Sequence, residues 1–473
     1  MSGRRAEQIS AWGVTLYGVL LPFHAVGVYR ARTRTGFELC DAVLVLAAPA
    51  VLLELWRWRC RWLASPVVLG ALWFSLAHLL TEALDPDPSR ARLLQALLPF
   101  VAVGGVASAL WSGHGARVQR GVLWGGGAAL AVAVVGYLAT LGFGPIVRGA
   151  FVFRSQHPIF AQVPRMTGSF GAHAVWLGEY CLMLLAVAQG AGDSLCSRAA
   201  RSSLGVVAAA ALFLSFSFAW LGGGVLFAQS ARFARWPGPW RHAAGAAFAG
   251  VFAVASWAVV VGGRVDPRVG DSLHACSSLD TAHHIVRVES PGVCRPIVSE
   301  VPYPHRLTLY ELAHRTTLAS VRAHPWLGWG HHGYRDFAVD HAEGAIGLRA
   351  GGYYREAVGL YASTLAHSGL LGAAGLGLLL FGLAQLLLER RSGLGSALTG
   401  RPESSGDWAL AGSVALLLSA TQTDLELRGP LWILLGLAVA GLPPPAACET
   451  PGEGGVSTGR YARNAPNMAR DGD

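Results

Sequence analysis

Residues 322–337 read Arg322-Ala-His-Pro-Trp-Leu-Gly-Trp-Gly-His-His-Gly-Tyr-Arg-Asp-Phe337, and a Gly369-Leu-Leu-Gly372 turn follows at the head of the next apolar span. This stretch closes residues 263–357, the one long polar segment in a chain that otherwise runs as apolar blocks. Those blocks recur along the whole length, and most are long enough to cross roughly 30 Å of hydrocarbon. A single large polar loop placed late in a polytopic chain is where such a protein keeps its chemistry. The apolar blocks hold that loop against the bilayer.

Composition excludes a soluble globular protein, since 53% of the 473 residues are hydrophobic and only 14% are charged. The formal charge of +9 invites a nucleic-acid reading. The basic residues are scattered singly or in short clusters between apolar spans, which is the positive-inside pattern and not a nucleic-acid patch. All 37 basic residues are Arg, which together with abundant Ala and Gly reflects a GC-rich bacterial coding bias more than a need for guanidinium. Position, not identity, must therefore single out any one Arg.

The pattern predicts an all-α polytopic membrane protein of about 12 spans: 10–29, 38–56, 63–84, 93–111, 121–143, 174–192, 203–217, 219–231, 242–262, 369–388, 407–422 and 430–446. The organisation is then an N-terminal membrane bundle of about nine spans over 1–262, a loop over 263–357, about three C-terminal spans over 358–446, and a disordered tail over 447–473. The seventh and eighth spans share only 29 residues, so they are a re-entering hairpin or two tilted helices. With the N-terminus inside, cytoplasmic segments hold 18 Arg against 9 in short external loops, while the long loop, which is exempt from the rule, holds 10. This asymmetry puts both termini inside and the large loop outside. The first span follows Arg4 and Arg5, lacks a clean small-residue cleavage site, and reads as a retained helix.

The glycine runs Gly125-Gly-Gly127 and Gly222-Gly-Gly224 lack the preceding strand and the following Lys of a phosphate loop, and read as close helix packing. The loop holds nine of the sixteen His, including His283-His284, His331-His332 and His341. None has the spacing of a zinc helix or finger, so no metal and no cofactor are expected. Cys276 and Cys294 lie 18 positions apart in the loop, and an oxidising compartment would make them a disulfide; two free thiols is the competing reading.

A second external segment, 144–173, carries Arg148, Arg154 and Arg165, the last in the context Arg165-Met-Thr-Gly-Ser-Phe170. Arg forks suit a pyrophosphate because each guanidinium grips two oxygens; lipid headgroups at the outer interface are the simpler partner. This Arg-x-x-Gly-x-Phe segment, the late loop, His-Pro-Trp-Leu-Gly-Trp-Gly, Gly-Leu-Leu-Gly and a closing Arg428-Gly-Pro-Leu-Trp432-Ile-Leu-Leu-Gly436 helix occur in that order. Over roughly residues 160–440 the chain resembles the O-antigen ligase and O-antigen polymerase superfamily.

The resemblance implies a GT-C-like glycosyltransferase of the bacterial inner membrane. It would move a glycan from undecaprenyl pyrophosphate to a glycan or lipid A-core acceptor, for O-antigen, capsule or exopolysaccharide, alongside polysaccharide-assembly proteins. By position Arg165 and Arg306 match the family's pyrophosphate arginines, with Arg315 a competitor of Arg306 and Arg322 nearby. Trp326, Trp329 and Tyr334 would meet the acceptor. Two departures stand out. The turn between the seventh and eighth spans reads Ser217-Phe218-Ala219, without the usual cation, and Val358-Gly359 occupies the place of the usual His-Asn pair. Glu356, His341 and His332 are the substitutes for the missing base. A transporter or flippase of lipid-linked sugars, using Asp41, Glu54, His78, Glu82 and Glu179 as a polar pathway, and a degenerate scaffold member are the competing readings. Transporters are commonly built from two similar halves, and no internal repeat is visible here.

Overall fold

A computed structural model describes residues 3–23, 39–85, 90–143, 174–192, 195–233 (save 216 and 218), 316–346, 359–392, 405–420 and 429–440. It also describes short stretches within 147–167 and 239–250 and the single positions 314 and 357. The main described helices of the first half are α1 (Gly3–Leu20), α2 (Leu39–Arg57), α3 (Arg59–Leu63), α4 (Pro66–Leu84), α5 (Arg90–Ala96), α6 (Leu98–Trp111), α7 (Gly115–Phe143), α8 (Ala174–Gly190), α9 (Arg198–Leu214) and α10 (Ala219–Phe233). Then come α11 (316–323), α12 (Gly330–Ile346), α13 (Leu360–Ser392), α14 (Ser405–Ser419) and α15 (Gly429–Ala440).

The chain is a helical protein of membrane type. Four described helical stretches are long and apolar enough to cross a bilayer: Leu39–Arg57, Pro66–Leu84, Gly115–Thr140 and Leu360–Glu389. Leu98–Trp111, Val175–Gly190 and Gly429–Ala440 are apolar but shorter. Helices suit this environment because they satisfy their own backbone groups where no water can. One departure from an all-α reading lies between α7 and α8. There Val147–Arg148 pairs antiparallel with Phe151–Val152, and Arg154–Gln156 with Pro164–Met166. The second ladder sets Arg165 opposite Ser155, and Met166 is buried, so the segment expected as a plain loop is a pair of short β ladders.

The core centres on α15, in which Gly429 through Val439 are all buried. It packs against α6, α14, α8 and α4. Small residues permit the approach: a Cβ on Gly436 would stand 2.6 Å from Val106 Cβ. The most extensive helix pair is α4 with α13. It runs antiparallel, since Gly382 meets Val67, Gly375 meets Phe74 and Ser368 meets His78. A Cβ on Gly70 would lie 2.5 Å from the backbone nitrogen of Leu379. Backbone contact of this kind holds helices together where hydrophobic exclusion supplies no force.

The two ends of the bundle differ in chemistry. At one, Arg57 reaches Glu7 at 3.3 Å, His114 reaches Glu7 at 3.2 Å, and Ser112 donates to Glu54 at 3.5 Å, tying α1 and α2 to the turn between α6 and α7. Arg61 lies over the Trp58 ring and Arg117 over Trp12, in cation–π contact. At the other end, the ends of α4 and α13 receive α12.

Candidate functional site

Helix α4 is apolar except for a stripe of His78, Glu82 and Asp85 (Asp85 as its C-cap), spaced i, i+4, i+7 and so stacked on one face. All three are buried. Carboxylates placed there need partners, and α12 supplies them. Its first turn turns its amides onto α4: the His331 N–H donates to Glu82 Oε1 at 3.0 Å and the Gly333 N–H donates to Asp85 Oδ2 at 3.2 Å. The first amides of a helix have no partner within it and carry partial positive charge, so two carboxylates from another helix act as its cap.

A backbone clip fixes this docking. Trp329 N–H donates to Ala366 O at 3.0 Å, Leu370 N–H to Pro325 O at 2.8 Å and Leu371 N–H to Trp326 O at 3.1 Å. The crossing lies at a kink where Gly369 leaves the helical region at φ +59, facing Gly328 at φ +66. Each glycine would drive a Cβ into the other strand's backbone, at 2.5 Å from the His367 carbonyl carbon for Gly328 and 2.6 Å from Gly328 N for Gly369. The Pro325-Trp-Leu-Gly-Trp-Gly330 motif and the Gly-Leu-Leu-Gly turn are thus two halves of one joint.

Around the joint stand the ionisable side chains. Arg92, on α5, places Nη2 3.0 Å from His331 Nε2. A guanidinium can only donate, so this nitrogen of His331 is the accepting, unprotonated one. The His331 ring meets His367 edge-on at 5.1 Å, and His367 meets Tyr334 at 5.5 Å. Tyr334 is fully buried, and its hydroxyl sits 3.1 Å from that of Thr317 on α11. Burial pushes its phenol above the ordinary value of 10.0, opposed by the Thr317 hydrogen bond. Glu82 Oε2 is buried with no hydrogen-bond partner among the described residues, so the carboxylate keeps one open acceptor beside the His331 backbone. Carboxylate, neutral imidazole and guanidinium together can take up a proton and hold an anion.

The residues singled out from sequence distribute unevenly. Trp329 and His341 come together on one face of α12 with Phe337 between them, the rings stacked at 4.7 and 5.5 Å. Tyr334, expected to meet the acceptor, has no exposed surface and instead forms the wall behind His367. Trp326 is 71% exposed at the joint's rim, and Arg322 is exposed on α11. His332 lies on α12 and Arg165 on the strand Pro164–Met166, with their side chains outside the described residues. Glu356, Arg306, Arg315, Cys276 and Cys294 lie outside the described residues altogether. Among those described, no group of three His, Cys, Asp or Glu is placed to hold a metal ion.

The polar-pathway residues do not form one set. Asp41 accepts from Gln95 at 3.0 Å, whereas Glu54 belongs to the Arg57 end of the same helix, 13 residues and about 20 Å away. Only His78 and Glu82 join the site. Sequence reasoning missed Asp85, Arg92 and His367 there. The i, i+4, i+7 polar stripe on an apolar helix and a His two residues ahead of Gly369 were the available signals. No protein-family model matches the chain, and no curated protein matches its sequence.

Proposed function

We propose that this protein is a glycosyltransferase of the bacterial inner membrane that polymerises or ligates saccharides carried on polyprenyl pyrophosphate. In this reading the chain makes about twelve crossings with both termini cytoplasmic, and the α4–α12–α13 joint faces the periplasm. The Arg-rich Arg57, Arg61 and Arg117 end then faces the cytoplasm, as the positive-inside rule favours.

One observation carries the reading: Arg92 meets the His331 ring at 3.0 Å, on the residue whose backbone amide is bonded to the buried Glu82. Transfer requires a base for the acceptor hydroxyl and cations for the departing pyrophosphate. His331 Nε2 has the lone pair, and Arg92 covers it. A pyrophosphate arriving on Arg92 would draw the guanidinium away and release that lone pair. The hydroxyl proton then passes to His331 as the acceptor oxygen bonds to the anomeric carbon. The anomeric C–O bond breaks with its electron pair leaving on the pyrophosphate, against Arg92 and the loop arginines Arg165 and Arg306. Glu82 holds the His331 backbone in place through its amide. This moves the base from Glu356, His341 or His332 to His331.

The test is glycan analysis of Glu82→Gln, Arg92→Ala and His331→Gln strains. Each variant stays in the membrane at wild-type level and loses polymer or ligated product, by on the order of 10²–10³ in rate where one preorganised donor is removed. Wild-type glycan from all three refutes the assignment. Accumulated lipid-linked repeat units on the cytoplasmic side would instead indicate a flippase.

A further inference from the structure

The exposed face of α12 carries a cleft that the transfer chemistry does not use. Trp329, Gly333, Phe337 and His341 recur every four residues and so lie in one line, with Asp336 and Asp340 along its edge. Together they line about 470 Å³ of open cleft. Phe337 stacks on Trp329 at 4.7 Å and 30°, and on His341 at 5.5 Å and 12°, while His324 closes against Trp329 at 4.1 Å. The Trp329 Nε1–H is already committed to Ser320 O at 3.1 Å, which fixes the indole plane. Both aspartates are exposed, and neither forms an ion pair among the described residues.

We infer that this cleft is a saccharide subsite that binds the acceptor glycan through neutral sugar residues; the inference rests on the transferase reading above. Because Phe337 is stacked between Trp329 and His341, the rings form one fixed apolar wall that meets the C–H side of pyranose rings at little entropic cost. Two carboxylates beside them accept hydrogen bonds from sugar hydroxyls, which are donors that water alone would otherwise satisfy. The same carboxylates repel an acidic sugar, and no described guanidinium lines the cleft to offset them. Gly333 belongs to both places, since it lines the cleft while its amide bonds Asp85.

The experiment measures saturation-transfer NMR on the full-length protein in nanodiscs, with chitotetraose as the neutral probe and tetragalacturonate as the acidic one. Chitotetraose binds and tetragalacturonate does not. Phe337→Ala weakens the neutral probe about tenfold, and Phe337→Tyr, which keeps the ring, restores it. The double variant Asp336→Asn/Asp340→Asn admits tetragalacturonate. Absence of chitotetraose binding, equal binding of both probes, or undiminished binding in a Phe337→Ala protein with wild-type thermal unfolding each overturns the inference. The two readings separate cleanly. Lost glycan in the three site variants with no chitotetraose bound condemns only the cleft, whereas wild-type glycan in all three with the probe bound condemns only the transferase site.

Discussion

Replacing Gly328 by Ala should undo the joint between the polar loop and the bundle. The residue sits at φ +66, where an L side chain costs roughly 1–2 kcal/mol. Its new Cβ would stand 2.5 Å from the His367 carbonyl carbon, against backbone that cannot rotate aside. The strands must separate, and the three clip hydrogen bonds, at about 1 kcal/mol net each, go with them. The total is on the order of 4 kcal/mol, or about a thousandfold in the local opening equilibrium. Hydrogen exchange at the Trp329, Leu370 and Leu371 amides reads that opening directly, and should accelerate by a comparable factor. Gly369→Ala should behave alike. Gly113→Ala, at φ +82 with nothing within 4 Å, isolates the backbone cost and should leave these amides protected. Loss of glycan should accompany loss of protection, because His331 leaves Glu82. Wild-type exchange together with wild-type glycan in Gly328→Ala would refute the joint and the site built on it.

Other consequences can be checked separately. Gly70→Val should lower the amount of folded protein in the membrane, since the backbone of Leu379 occupies its place; unchanged yield and thermal stability would contradict the α4–α13 packing. Tyr334 is held protonated above its ordinary 10.0, so between the unfolded and folded values the unfolded state binds fewer protons and stability falls as pH rises through about 10. Tyr334→Phe should flatten that alkaline decline in a pH series of thermal melts, at a cost near 1 kcal/mol below it for the Thr317 hydrogen bond. A reporter active only in the periplasm should work when fused near Gly292 and fail near Gly395, and activity at Gly395 would reverse the orientation. Thiol labelling of unreduced membranes should miss Cys276 and Cys294, whose disulfide would close a loop of about 19 residues worth on the order of 3 kcal/mol; labelling of either refutes the pair.

The sequence by itself determined that this chain is a helical protein of membrane type. Apolar length needs no tertiary partner: the runs at Leu39–Arg57, Pro66–Leu84 and Leu360–Glu389 are legible one residue at a time. It singled out Trp329 and His341 separately, and only the helix Gly330–Ile346 brings them to one face with Phe337 between them. It could not show that Gly328 and Gly369 touch, since a positive φ and a backbone crossing leave no trace in composition. Nor could it join Glu82 to His331 across 249 positions, as that contact exists only when α4 and α13 have packed and carried α12 onto them. Tyr334 illustrates the converse. An aromatic in a polar loop reads as exposed and ready for a ligand, yet three helices close over it and the Thr317 hydroxyl takes up its polar end. Local pattern selects the elements, and the burial of charge between them selects the site.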